Sequence, residues 1–182
     1  MSKSTESISK GFSTFTKNPS LIIPALAPIV IHLIFLVLAY VVFSYSVWYF
    51  DLARLTWYEV RYPNFWIVWL GYFLASIIGF LASCMVVDMA NDSISGRPID
   101  FKKSMNLVMS KLGILILAAL ISAVFFITFV LIPFALFIAV IAIIEGTDAF
   151  ESTKRSFEFV IRNLAETIVF VIIVIVVCIV FG

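Results

Sequence analysis

Two aspartates four residues apart, Asp88 and Asp92 in the stretch VVDMANDSISGRPID, are the pair whose type and spacing suggest chemistry. On a helix, positions i and i+4 lie on one face, so both carboxylates would project together. Such a pair could hold Mg²⁺ through a phosphate, with Asp100 close behind in the same stretch. A metal-dependent lipid-modifying enzyme would use them in this way, and loss of activity in Asp92→Asn would expose it. The chain has no second aspartate-rich motif, however. The plainer reading is that Asp88 ends a helix, Asn91 or Asp92 starts a turn, and SGRP is a loop. No metal site is assigned.

His32 is the one histidine, and it falls in the middle of an uncharged block. An ionisable group at membrane depth marks a functional site by default. A relay needs a partner, though, and no other ionisable residue is placed as deep, so a hydrogen bond across helices is the preferred role. Gly71, Ala75, Gly79 and Ala82 form a small-residue stripe at four- and seven-residue spacing, suited to close helix packing or to a homo-oligomer. The chain contains no Ser–His–Asp set and no HExxH, P-loop, CxxC or glycine-rich phosphate motif. No catalytic residue and no cofactor is expected.

The elements that carry these side chains must be membrane elements. Hydrophobic residues make up 63% of the 182 and charged residues 13%. Soluble domains run at roughly 45–50% apolar and about 25% charged, and a soluble fold of this size could not cover so much apolar surface. The net charge of +1 implies no nucleic-acid partner. Cys84 and Cys178 both fall in apolar runs and read as small buried hydrophobes. The polar start, MSKSTESISKGFSTFTKNPS, is too long for a signal peptide, so the first apolar run is expected to stay as an anchor.

Four uncharged blocks cover 20–50, 64–87, 113–144 and 167–182. Crossing a ~30 Å hydrocarbon layer takes roughly 20 apolar residues, and an unpartnered backbone in lipid must be helical. As one helix the 113–144 block would be about 48 Å long, far too long for one crossing. Pro133 favours a break between Thr128 and Pro133. Charge placement favours the resulting hairpin. It puts Lys3, Lys10, Lys17, Arg97, Lys102, Lys103, Lys111, Lys154, Arg155 and Arg162 on one side, with only Arg54 and Arg61 opposite. By the positive-inside rule the basic side, with the N-terminus, is cytoplasmic. The four Trp and six Tyr all lie between residues 40 and 72, around the loop assigned to the outside. They read either as a lipid-facing belt or as a cap packed on itself.

Three segments align without gaps: ISKGFSTFTKNPSL from Ile8, FKKSMNLVMSKLGI from Phe101 and TKRSFEFVIRNLAE from Thr153. A base recurs as Lys10, Lys103 and Arg155, then a small residue as Gly11, Ser104 and Ser156. Phe12, Met105 and Phe157 follow, then Phe15, Val108 and Val160, and each segment ends in polar residues before an apolar run. Phe101, Met105, Val108 and Leu112 keep the spacing of one helix face. Each segment therefore predicts an amphipathic helix in the cytoplasmic interface, its bases toward headgroups. Asn18-Pro19 offers an N-cap with proline at N1, and Asn163 with Glu166 fits a capping box.

The stretch IIEGTDAFESTKRSFEFVIRN, following a Pro-containing apolar hairpin, and FTKNPSLIIPAL near the start resemble uncharacterised multi-pass membrane families of archaea and bacteria. They are also similar to the membrane domain attached to some glycerophosphoryl diester phosphodiesterases. The resemblance implies about six spans and no catalytic set; with six spans, the final span or hairpin would be missing or truncated here.

The expected fold is all-α: a polytopic transmembrane bundle of about five spans with amphipathic interfacial helices, in a single membrane domain. The spans are placed at about 20–47, 64–88, 113–128, 130–145 and 165–182, and the interfacial helices at about 5–17, 98–111 and 148–162. The expected function is a non-enzymatic protein of the plasma membrane that holds anionic lipid headgroups. The bases assigned to it are Lys10, Lys17, Lys102, Lys103, Lys154, Arg155 and Arg162. The alternative is a channel or permease subunit whose path forms between copies, supported by the short or Pro-broken segments.

Overall fold

A computed structural model describes residues 3–52, 54–127 and 131–181, with side chains over 9–52, 54–125 and 131–176. The helices are α1 (Lys3–Lys17), α2 (Ile23–Val37), α3 (Phe65–Ile94), α4 (Phe101–Ser110), α5 (Leu112–Ile127), α6 (Ile132–Ile144), α7 (Ala149–Arg162) and α8 (Leu164–Phe181). Between α2 and α3 stand two strands, β1 (Tyr45–Asp51) and β2 (Thr56–Tyr62). The chain divides into two compact units, Ile22–Ser83 and Met1–Leu21 with Cys84–Gly182.

In the first unit, a proline near the start of α2 and Pro28 within it leave the helix short of amide donors. The helix loosens into a π turn over Leu38–Val42, which Phe43 N–H closes on the Leu38 carbonyl at 2.9 Å. Phe35 covers Gly71 so closely that a Cβ there would collide with it, and Pro28 lies against the Gly79 position at 3.6 Å. Gly71 and Gly79 of the small-residue stripe thus lie where α2 packs against α3 of the same chain. His32 meets α3 differently from expectation. Its ring lies 4.2 Å from the Tyr72 ring at a tilt of 40°, and its Nδ1 has no hydrogen-bond partner among the described residues.

The strands correct the first expected span, which was carried on to residue 47. The helical run stops at Val42, and Tyr45–Asp51 pairs antiparallel with Thr56–Tyr62. Apolar continuity outweighs β propensity only where no partner strand exists. Here TWYEVRY supplies one, and cross-strand rings meet as Tyr45–Tyr62, Tyr49–Tyr58 and Phe50–Trp57.

In the second unit, α5 and α6 pack antiparallel. Lys111 Nζ donates to the Ala142 and Ile143 carbonyls at 3.2 Å, and Ser122 Oγ donates to the Ala135 carbonyl at 3.2 Å. The 113–144 block is therefore two helices; part of the break expected between Thr128 and Pro133 lies outside the described residues. Ala118, Ile138 and Ala149 form a core that joins α5, α6 and α7. Phe157 of α7 stacks on Phe134 at 4.2 Å and meets Phe125 edge-on at 5.7 Å.

Pro19–Val42 and Phe65–Ile94 are each long and apolar enough to cross a membrane. The pairs α4–α5 and α7–α8 are bent by 73° and 101°, and counting each as one span raises the number to four. At 13 residues, α6 reaches only about 20 Å, short of the hydrocarbon thickness. The described residues are predominantly helical and hold two to four candidate spans, where the sequence places about five.

Candidate functional site

The polar chemistry of the second unit gathers where amphipathic helices break into apolar ones. Asp88 does not end its helix, as sequence suggested; α3 continues to Ile94. The extra turns bring Asp88 and Asp92 against α4, where they are buried. Ser104 Oγ donates to Asp88 Oδ2 at 2.6 Å, and Lys103 Nζ donates to Asp92 Oδ2 at 2.5 Å. Arg97 Nε sits 2.8 Å from Asp92 Oδ1 without aiming its N–H at that oxygen, so this contact is electrostatic rather than a directed hydrogen bond. A buried carboxylate needs such partners, because burial removes the water that would solvate its charge. Between Asp92 and its bases, Gly96 takes a φ of +71° that a side chain resists, and Asp100 then caps α4 by accepting from the Lys102 and Lys103 amides.

The same device recurs one helical hairpin later. Gly146, with φ +72°, follows α6, and Asp148 caps α7 by accepting from the Glu151 amide at 2.9 Å. Arg155, aligned with Lys103, pairs with Glu145 at the end of α6 and with Glu151 one turn back at 2.9 Å. Those two hydrogen bonds, to Glu151 first and then Glu145, push the Arg155 guanidinium above its usual range. Ser156, aligned with Ser104, is buried and donates to the Phe134 carbonyl at 2.6 Å. The aligned valines Val108 and Val160 are both buried.

All three helix breaks share one backbone pattern. The amides of Asn18, Lys111 and Asn163 each reach two carbonyls of the preceding turn at 3.1–3.3 Å. The first copy departs in its packing, since Gly11 and Phe15 are exposed. Neither expected N-cap forms: Asn18 Nδ2 donates back to the Thr14 carbonyl and across to Ser93 Oγ, and Asn163 Nδ2 donates back to the Phe159 carbonyl. Both asparagines close the helix behind them.

The bases assigned from sequence fall into separate settings. Lys10 and Lys17 line an open groove of ≈ 630 Å³ with Ser9, Ser13, Thr14, Asn18 and Ser93. Lys154, Arg155 and Arg162 line a second, of ≈ 410 Å³, with Glu145, Glu151 and Glu158. Lys102 stands exposed on α4, apart from both. Lys103 and Arg155 are engaged by acids of this chain; the other assigned bases, Lys10, Lys17, Lys102, Lys154 and Arg162, are all exposed and are the outward bases by position. Sequence reasoning missed Arg97, Glu145 and the capping role of Lys111. The Glu151–Arg155 spacing was the one local signal available. Among the described residues, no three His, Cys, Asp or Glu side chains converge on a common point.

Apart from Phe157, which packs inward on Phe134 and Phe125, several large apolar side chains of these helices are exposed. Phe101, Met105 and Met109 form an exposed flank of α4 at i, i+4 and i+8, while the small Ser104 faces inward with Val108. On α7, Ala149, Ser152, Ser156 and Val160 are buried, and Phe150 and Ile161 are exposed. No family model, curated protein or solved structure matches the chain.

Proposed function

We propose that this is a non-enzymatic, multi-pass protein of the plasma membrane, with a cytoplasmic N-terminus, that holds anionic lipid headgroups on its interfacial helices. The observation that carries the reading is the division of faces on α4 and α7. Small residues, Val108, Val160 and Phe157 turn inward, whereas Phe101, Met105, Met109, Phe150 and Ile161 turn outward with bases beside them. A helix at the level where acyl chains meet headgroups needs that arrangement, and one in water does not. The 73° and 101° bends into α5 and α8 fit helices that lie along a surface and then enter it. Lys10, Lys17, Lys102, Lys154 and Arg162 supply the charge, at about 1 kcal/mol per base near an anionic surface. Lys103 and Arg155 act mainly through the acids they hold. The orientation follows from the ten bases that the hairpin topology gathers on one side.

Anionic lipid that binds the folded protein raises its stability in detergent. Adding phosphatidylglycerol to protein in a neutral detergent should therefore raise the thermal midpoint, and phosphatidylcholine should do so less. Charge reversal at Lys102 and Lys154 should shrink the difference, whereas equal responses to both lipids would defeat the reading. A second reading, a channel or permease subunit formed between copies, draws on Pro28 and the π turn inside a candidate span. A closed ring in native mass spectrometry would favour it. An Asp88/Asp92 metal enzyme has less support, because both carboxylates already have partners.

A further inference from the structure

The hairpin at the start of α3 has a tip that folding does not account for. Leu52 and Leu55 are 79% and 76% exposed, and Leu55 holds φ at +49°, a left-handed conformation that glycine or asparagine adopts at lower cost. A large exposed hydrophobe at a strained backbone position points to a role outside the fold. Behind the tip, alternation divides the strands into two faces. One carries Ser46 opposite Arg61 at the base, Trp48 opposite Glu59 in the middle, and Phe50 opposite Trp57 next to the tip. Ser46 Oγ donates to Glu59 at 2.7 Å and Arg61 Nε lies 3.5 Å from it, so the base is polar and internally paired. Trp48 and Trp57 remain 59% and 64% exposed. The face is thus graded, polar at the root and apolar toward the tip.

We infer that this face and the tip leucines dock on the lipid bilayer at the boundary between headgroups and acyl chains. Three features select that occupant. The hairpin is joined by two residues on each side to helical runs that are candidate spans, so its root stands at a lipid surface. Its open strand edges need water or another donor, which keeps the backbone out of the hydrocarbon and at the wet boundary. Its two acids, Asp51 and Glu59, balance its two bases, Arg54 and Arg61, so no charged partner is preferred. Trp and Tyr suit the remaining environment, with an apolar ring and a polar tip. This contact lies on different residues from the headgroup contacts of α1, α4 and α7, and it does not depend on lipid charge.

The test uses the full chain with Trp66→Phe and Trp69→Phe, so that fluorescence reports Trp48 and Trp57. Reconstituted in neutral phosphatidylcholine vesicles, these tryptophans should be quenched by lipids brominated near the headgroup and protected from aqueous iodide. Leu52→Asp with Leu55→Asp should reverse both results while the far-ultraviolet circular dichroism stays unchanged. Full access to iodide with no lipid quenching would overturn the inference, since the hairpin would then stand in water. Protection from both quenchers would also overturn it, assigning the face to a second copy or another protein. Because the vesicles are neutral, either failure leaves the anionic-headgroup reading standing, to be judged on its own test.

Discussion

Asp92→Asn isolates the contribution of the clamp that fixes α4 to the end of α3. The carboxylate is 1% exposed, with Lys103 at 2.5 Å and Arg97 at 2.8 Å. At an effective dielectric constant of about 20, one such pair attracts by about 7 kcal/mol before solvation is counted. Most of that is offset. Burying the carboxylate costs several kcal/mol, and the side chains of Lys103 and Arg97 stay half-exposed and free to rehydrate. Removing one partner of a fully buried pair costs about 3–5 kcal/mol. A charge-assisted hydrogen bond to a solvent-accessible base is worth about 1.5–3 kcal/mol. The second case applies here, and Asn keeps the shape, so the loss should be about 2 kcal/mol. That is a factor of about 30 in the equilibrium for detaching α4. Hydrogen exchange of the α4 amides in micelles reads this directly. Protection over Phe101–Ser110 should fall by that factor, while α5 and α6 change little. Lys103→Met should cost less, because Arg97 remains, and the double variant should cost less than the two singles together. Unchanged α4 protection in Asp92→Asn would refute the clamp. So would a large gain in protection on adding Mg²⁺ to the wild type, which would restore the metal reading.

Gly71→Ala places a methyl group against Phe35 and should destabilise the α2–α3 contact by about 1–3 kcal/mol in reversible detergent unfolding. A neutral result would mean that the two helices do not pack there. Ser46 donates to Glu59 and holds that carboxyl below its usual 4.5. A lowered folded pKa gives stability that is present above the unfolded value and lost as pH falls through the folded one. The near-ultraviolet signal of the hairpin should thus be flat down to about pH 4.5 and change only below it, and Glu59→Gln should abolish the change. Arg155→Gln frees Glu145 and Glu151 together and should raise α7 exchange more than Lys154→Gln does, because Lys154 has no ion pair among the described residues.

Much of this architecture is legible in the sequence because membrane crossing is a length-and-composition problem. The uncharged blocks located α3 and the α5–α6 pair, and the repeated base–small–apolar pattern located α1, α4 and α7 within a few residues. Where sequence failed, a long-range partner decided the outcome. The β-hairpin forms because Thr56–Tyr62 stands opposite Tyr45–Asp51, which the apolar run through residue 50 conceals. Asp88 and Asp92 look like a helix end followed by a turn until Lys103 and Ser104 fold back onto them. Span number is the least legible feature, because α6 is apolar enough to cross a bilayer and too short to do so as a straight helix. The alignment of Ser104 with Ser156 and Val108 with Val160 proved deeper than composition, since both pairs are buried at matching positions of the same helix–break–helix unit.

The central claim is anionic-lipid recognition by the outward bases, and native mass spectrometry from mild detergent tests it most directly. Protein offered equal amounts of phosphatidylglycerol and phosphatidylcholine should retain the former preferentially. A variant carrying Gln at Lys10, Lys17, Lys102, Lys154 and Arg162 should lose the preference with its circular dichroism intact. Equal retention of the two lipids by the wild type, or a preference that survives all five substitutions, would contradict the account.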